Sequence, residues 1–232
     1  MHCPLGEFVR PPTLAEAAAA KLRDAILSGD LVPGSPLREV ELSQSLDISR
    51  GTFREALRLL QEEGLVDIIP HRGASVTRLT PEKVQEISSL RAVLESYAVR
   101  LALQQGAYSK DDLDQMKRLV KRLGELEHEG NIVKIVHTDM ELHRLMCEGS
   151  GHQLLLQVLD RLRSLHMLFI LNTKLYDSDM TSDEASHRSV LDSILSGNPE
   201  QGETVVREHI QQAGAWLLDR MKQRDWERVN VN

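Results

Sequence analysis

Residues 49–65, SRGTFREALRLLQEEGL, have the pattern of one short amphipathic helix with a basic outer face. Ser49 is a good N-cap and Gly64 is a natural residue just past a helix end, so the sequence marks both ends. Apolar side chains at helical spacing predict the inward face: Phe53, Ala56, Leu57 and Leu60. The outward face carries arginines spaced by four residues: Arg50, Arg54 and Arg58. Such a stripe needs either an anionic partner or a solvated surface, and the stretch alone leaves both open.

Two more helices and an extended segment surround this stretch. Thr13 and Glu16 form the pattern of a capping box, and the helix that they begin ends at Gly29. A second short helix is predicted over residues 39–46. Residues 65–78, LVDIIPHRGASVTR, have the pattern of two short strands around a turn. Helix, helix, tight turn, helix and β-hairpin is the order of a winged helix-turn-helix domain.

This architecture supplies an anionic partner for the arginines. The helix after the turn enters the major groove of DNA, and its first residues reach the base edges. Arginine suits guanine O6 and N7, whereas serine and threonine suit phosphates or bases. The hairpin tip, residues 71–73, would lie along the backbone or in the minor groove. For Arg58, two turns into the helix, a phosphate contact and simple solvation both stay open.

The stretch SRGTFREALRLLQEEGL, followed by PHRGASV, resembles the DNA-binding domain of the GntR family of bacterial transcription regulators. The resemblance covers residues 14–78, and Thr52 and Phe53 replace the family's usual proline and valine. Thr52 still suits a helix start and adds a hydroxyl, which implies a changed base preference. The fold and the resemblance together predict these DNA-contacting residues: Arg38, Ser49, Arg50, Thr52, Arg54, His71, Arg72 and Gly73.

The composition is that of a globular protein, with 232 residues that are 41% hydrophobic and 27% charged. The net charge of −7 means that any DNA contact must come from a local basic patch. No apolar run approaches the length of a membrane span, and the first residues do not have the pattern of a signal peptide. The two cysteines, Cys3 and Cys147, form no disulfide framework. We therefore expect a cytoplasmic protein with no membrane partner.

The rest of the chain is predicted to be entirely helical. Amphipathic segments are expected near residues 81–105, 109–128, 131–148, 152–176, 183–196 and 199–222, and glycine-rich or proline-rich breaks separate them. Such segments pack as an antiparallel bundle. The predicted fold class is therefore mainly α, with a winged helix-turn-helix domain over residues 1–79 and an all-α bundle over residues 80–232.

Four polar residues occupy apolar positions of three of these helices: Asp139, His143, His187 and His209. Asp139 and His143 are four residues apart and project to the same side. One such histidine alone is usually a hydrogen-bonded core residue, but the four together are better explained by a bound cation.

This set also resembles the ligands of the FCD ligand-binding domain, which defines the FadR branch of the GntR family. The resemblance covers residues 82 to about 222 and implies an effector-binding and dimerisation domain. It predicts one divalent transition metal per chain, either Zn, Ni, Fe or Mn.

The same resemblance indicates an effector site. Arg91 matches an arginine on the first FCD helix that can pair with an effector carboxylate, although an ordinary surface or interhelical ion pair is the alternative. A small organic acid could place one carboxylate on the ion and a second acidic group on Arg91. Asn172 could line the pocket or pack in the core, and His166 presents the same choice.

The predicted function is a ligand-responsive repressor or activator, a homodimer on operator DNA, that senses a small carboxylate. One alternative is a DNA-binding regulator with a purely structural metal and no effector. A metal-dependent hydrolase is the other alternative, but the chain contains no HExxH, GxSxG or P-loop motif. We therefore expect no enzymatic activity.

Overall fold

Three helices and a β-hairpin form the amino-terminal part of the chain, as predicted. The computed structural model describes residues 11–78, 80–173 and 183–223. The first elements are α1 (Leu14–Ser28), α2 (Glu39–Ser45), α3 (Arg50–Glu62), β1 (Val66–Ile69) and β2 (Gly73–Val76).

Local sequence signals set the ends of these helices. The Thr13 side chain accepts from the backbone N–H of Glu16, and the Glu16 carboxylate accepts from Thr13, which completes the capping box before α1. Asp47 lies in the left-handed region, with a φ of 53°, and makes the tight turn between α2 and α3. Phe53 and Leu60 on the inner face of α3 are fully buried, so α3 presents its basic face to solvent.

The two strands pair antiparallel, with Val66 opposite Val76 and Ile69 opposite Gly73. Residues 70–72 close the hairpin, and the Arg72 N–H donates to the Ile69 carbonyl at 3.0 Å. His71 and Gly73 both have positive φ, 63° and 91°, so the tip depends on a glycine at position 73.

Six helices follow within the residues that the structure describes, and they form the predicted antiparallel bundle. Their bounds are α4 (Pro81–Gln105), α5 (Lys110–Glu129), α6 (Ile132–Glu148), α7 (Gln153–Thr173), α8 (Asp183–Leu195) and α9 (Pro199–Gln223). α4 packs along α9 and also contacts α6 and α7. The α4–α9 contact is close, because a β-carbon at Gly214 would lie 2.6 Å from Ser88. α4 therefore lies against three other bundle helices, and α5 and α8 complete the bundle through their contacts with α6 and α9.

The amino-terminal elements rest directly on the bundle. One continuous apolar core includes Phe53 and Leu60 of α3 together with Leu165 and Leu168 of α7. A β-carbon at Gly64, just past the end of α3, would lie 3.1 Å from the Leu165 side chain. None of the helices in the described part of the chain is both long and apolar enough to cross a membrane.

Candidate DNA interface and metal centre

The outer face of α3 carries exposed cations. Arg50, Arg54 and Arg58 are all exposed. The Ser49 Oγ accepts from the Thr52 N–H at 3.1 Å and shares a hydrogen bond of 2.9 Å with the Thr52 hydroxyl. The predicted N-cap is therefore formed. Thr52, which stands where the family usually has a proline, hydrogen-bonds to Ser49 through its hydroxyl.

A concave groove of about 370 Å³ lies between α2, α3 and the hairpin. Four guanidinium-bearing side chains line it: Arg38, Arg54, Arg58 and Arg72. Gly73 lines it as well, whereas Ser49, Arg50 and Thr52 lie at the start of α3 and His71 lies at the hairpin tip. The structure thus brings half of the predicted DNA-contacting residues around one basic concavity, although the whole chain is acidic.

Two acidic residues of α2 hold arginines of this groove, and sequence reasoning missed both. Arg54 Nε donates to Glu39 at 2.8 Å, and Arg38 pairs with Glu41 at 3.1 Å. All four side chains are at least partly exposed, so these ion pairs contribute little to stability. They orient the guanidinium groups of Arg38 and Arg54.

The four predicted metal ligands converge in the interior of the bundle. His143 Nε2 lies 3.3 Å from the Nε2 atoms of both His187 and His209. Asp139 Oδ1 lies 2.7 Å from His187 Nε2 and 3.5 Å from His143 Nε2. Asp139, His143 and His187 are buried and His209 is half-buried.

This donor set fits a divalent transition metal. The ligand atoms of the three histidines all lie within 4.8 Å of one another. Neighbouring ligands at bond lengths of ~2.1 Å are roughly 3.0–3.4 Å apart, in octahedral or tetrahedral geometry. The 3.3 Å separations between Nε2 atoms match these values, whereas Asp139 Oδ1 lies at hydrogen-bond distance from His187 Nε2, 2.7 Å. Three imidazoles and one carboxylate suit Zn, Ni, Fe or Mn.

A buried ion pair between Arg91 and Glu95 contacts the histidine cluster through His143. His143 Nδ1 donates to Glu95 Oε2 at 2.6 Å, and Arg91 Nε donates to Glu95 Oε1 at 2.7 Å. Sequence reasoning identified Arg91 but missed Glu95. The signal was present, since Arg91 and Glu95 are four residues apart on α4 and both fall among its buried positions. Arg91 thus takes part in an ion pair that is buried and lies within α4, not in the surface or interhelical pair that was the alternative, and it also lines the adjacent cavity.

The charges around the cluster stabilise both acids as carboxylates. Burial would raise the pKa of Asp139, but His143, His187 and Arg91 hold it well below its usual range. Burial also opposes ionisation of Glu95, yet Arg91 and His143 lower its pKa strongly. Burial and the charge on Arg91 lower the pKa of His166 to about 3, so this imidazole is neutral at physiological pH.

A cavity of about 290 Å³ opens onto the cluster. It is lined by residues of α4 and α6–α9, including Ser88, Arg91, Asp139, His143, His166, Ile170, His187, His209, Gln212, Trp216 and Leu217. His166 therefore lines the pocket, one of the two roles left open. The Asn172 side chain lies outside the described part of the chain.

Family models match both parts of the chain. Residues 14–76 match the bacterial regulatory proteins of the gntR family, and residues 86–212 match the FCD domain. The chain belongs to the GntR family. It is a transcription regulator with a DNA-binding winged helix and an FCD domain, and not an enzyme.

Individual relatives agree with this membership. The chain is 30% identical to the HTH-type transcriptional regulator YdhC of Bacillus subtilis (strain 168), over 82% of this chain and 84% of that protein. It is 28% identical to a probable D-xylose utilization operon transcriptional repressor of Paenarthrobacter nicotinovorans, over 83% and 85%. The Glc operon transcriptional activator of Escherichia coli (strain K12) is 25% identical, over 85% and 86%.

Solved structures share the fold. E. coli McbR/YncC superposes with a TM-score of 0.74 at 21% identity, over 90% of this chain and 99% of that chain. A putative GntR transcriptional regulator from Rhodococcus sp. RHA1 gives 0.73 at 22% identity, over 88% and 97%.

Proposed function

We propose that this regulator binds operator DNA as a homodimer and changes its DNA affinity when a small carboxylate enters the metal-centred cavity. The observation that carries the proposal is the convergence of Asp139, three histidines and Arg91 on one cavity. A metal ion that only stabilises the fold needs no cavity beside it. The cavity therefore favours an effector-binding site over a purely structural metal site.

Asp139, His143, His187 and His209 would hold one divalent ion. When bound, the ion supplies a Lewis-acidic position for a carboxylate oxygen. Glu95 keeps the His143 Nδ1 protonated, which leaves the Nε2 lone pair as the ligand. Arg91 lines the same cavity, and we assign it as an effector-side hydrogen-bond donor, whereas Asn172 stays a prediction.

We assign operator recognition to the start of α3 and to the groove between α2, α3 and the hairpin. Arg50, Thr52 and Arg54 would meet base edges from the first turns of α3, with Ser49 at its cap. Arg38 would contact the backbone beside them, and the hairpin tip of His71, Arg72 and Gly73 would follow the backbone or the minor groove. An operator-binding protein works where the chromosome is, in the bacterial cytoplasm.

The homodimer is supported by an apolar outer surface on two helices that contact each other. α4 exposes Leu90, Val93 and Tyr97 at helical spacing, and α7 exposes Leu154 and Val158. An exposed apolar surface of this kind is typical of an interaction surface. A two-fold partner would cover it and would place two winged helices on two half-sites.

Operator affinity measured with and without metal and acid tests the proposal. The operator can be isolated by selection from random duplexes and labelled for fluorescence anisotropy. We expect the effective acid to shift the dissociation constant by about 5- to 150-fold, which corresponds to ~1–3 kcal/mol of coupling. If no acid shifts the operator affinity of the metal-loaded protein, the metal is structural and the sensor proposal is wrong.

A further inference from the structure

The charge of the cavity lining restricts which acids can enter. Among the described residues that line the cavity, Arg91 is the one lysine or arginine. Its charge is already balanced by Glu95, to which its Nε donates, and the two side chains are 4% and 0% exposed. A second acidic group of an effector would therefore meet a cation whose charge is already neutralised.

The other described ionisable groups near the cavity, apart from the metal ligands, contribute no unbalanced charge. Burial and the Arg91 charge keep His166 neutral by lowering its pKa to about 3, and burial raises the pKa of the Cys147 thiol. Arg163 lies behind His143, where its Nη2 donates to the His143 carbonyl and its Nη1 pairs with Asp160 at 3.2 Å. Arg91 and Glu95 cancel each other. Among the described residues, a divalent ion and the Asp139 carboxylate then leave one uncompensated positive charge.

The remaining lining that the structure describes is neutral. Ser88, His166 and Gln212 offer uncharged hydrogen-bonding groups, while Ile170 and Leu217 are apolar. The volume of about 290 Å³ lies at the lower end of the range of small-molecule pockets.

We infer that the effector is a small monocarboxylate whose remainder is uncharged, such as a short aliphatic or hydroxy acid, and not a di- or tricarboxylate. One carboxylate neutralises the excess positive charge, whereas a second would be buried with hydrogen-bond donors but with no unpaired cation among the described lining residues, which is costly. This inference rests on the proposed function, since it requires the carboxylate to bind at the metal centre.

Matched acids test the inference with the full-length, Zn²⁺-loaded protein. 2-Hydroxybutyrate and malate share a four-carbon 2-hydroxy acid skeleton and differ in one methyl or carboxylate group, and butyrate and succinate form a second pair. We expect calorimetry to give at least about tenfold tighter binding for the monocarboxylate of a pair. Equal or tighter binding of the dicarboxylate would overturn the inference but keep the proposed function. If none of the four acids binds, the carboxylate site itself is wrong.

A variant that removes the negative charge beside Arg91 provides a second test of the preference for monocarboxylates. Glu95→Gln removes the acid that neutralises Arg91, so at saturating Zn²⁺ the preference should move towards the dicarboxylate by about tenfold or more. Glu86→Gln is the matched control, because Glu86 is exposed on the same helix. The double variant Arg91→Gln/Glu95→Gln removes both charges together and should keep the monocarboxylate preference. An unchanged preference in folded Glu95→Gln, or a reversed one in the double variant, contradicts the charge balance.

Discussion

His143 Nδ1 lies 2.6 Å from Glu95 Oε2, and this contact decides which nitrogen of His143 faces the other two histidines. A carboxylate acceptor holds the proton on Nδ1 and increases the basicity of Nε2. Nε2 is the atom 3.3 Å from both His187 and His209. Glu95 is therefore a positioning residue for the proposed metal centre, supplied by a different helix from the one that carries His143.

Glu95→Gln should weaken metal binding without removing it. The amide oxygen can still accept from Nδ1, but its charge is lost, and losses of such partners typically cost ~10- to 100-fold in metal affinity. Competition of the protein with a fluorescent chelator for Zn²⁺ measures the change. Glu86→Gln on the exposed side of α4 should bind Zn²⁺ like the unmodified protein. Unchanged Zn²⁺ affinity in Glu95→Gln would show that Glu95 does not tune the site.

His187→Ala/His209→Ala should lose the metal ion and the response to acid, but retain basal DNA binding. The two residues supply half of the proposed ligands and lie in the bundle, away from the arginine-lined groove. Elemental analysis of purified protein gives the metal content, and circular dichroism checks the fold. His137→Ala is the control, because His137 is exposed on α6. A full equivalent of metal in the folded double variant would mean that the site lies elsewhere.

Arg54→Ala should weaken specific operator binding by ~1–3 kcal/mol if Arg54 contacts a base. A phosphate contact would instead lower affinity evenly across sequences. Arg54 lines the groove between α3 and the hairpin, and it is held there by Glu39. Fluorescence anisotropy at fixed salt, with operator and scrambled duplexes, separates the two cases. Arg118→Ala on the exposed face of α5 keeps the net charge change equal and should bind normally. Operator affinity as high as that of Arg118→Ala would reject the groove as the interface.

The metal-free protein should lose stability as the pH falls below about 6.5, partly through His166. The pKa of His166 is lowered to about 3 in the folded chain, so between these values the unfolded state binds a proton that the folded state excludes. Its contribution to stability is therefore present above pH 6.5 and decreases on acidification, by up to ~1.4 kcal/mol per pH unit.

Thermal unfolding in EDTA from pH 7.5 to 5 measures this dependence. His166→Leu should flatten it, whereas His128→Leu, on the exposed surface of α5, should not. If His166→Leu keeps the full pH dependence, His166 does not carry this contribution.

Local patterns predicted most of the helices, because caps and apolar periodicity are local properties of the chain. Ser49 and Thr13 cap their helices as expected, and the predicted ends of α4 and α6 agree with the structure. The predicted seventh helix extended to residue 176, and its last residues lie outside the described part of the chain. Two of the contacts missed from sequence, Glu95 with His143 and Glu39 with Arg54, join residues of different helices. Their pairing depends on tertiary packing, which periodicity does not specify.

α7 connects the cavity to the DNA-binding part of the chain. On α7, His166 lines the cavity and its neighbour Leu165 packs against Gly64, just past the end of α3. Gly64 has a φ of 79°, and its missing side chain leaves the space that Leu165 fills. A shift of α7 when acid binds would therefore move the residues at the end of α3.

Leu165→Ala should reduce the acid-induced change in operator affinity while leaving acid binding intact. The substitution removes the contact at Gly64 and costs ~2–5 kcal/mol of stability, so thermal unfolding must first confirm a folded protein. Leu165→Met is the matched control, because it conserves volume and keeps an apolar contact at the same place. Coupling is the ratio of operator dissociation constants with and without the acid, and acid affinity is measured separately by calorimetry. A folded Leu165→Ala variant that binds acid normally and retains the ratio of Leu165→Met would show that the signal does not pass through this contact.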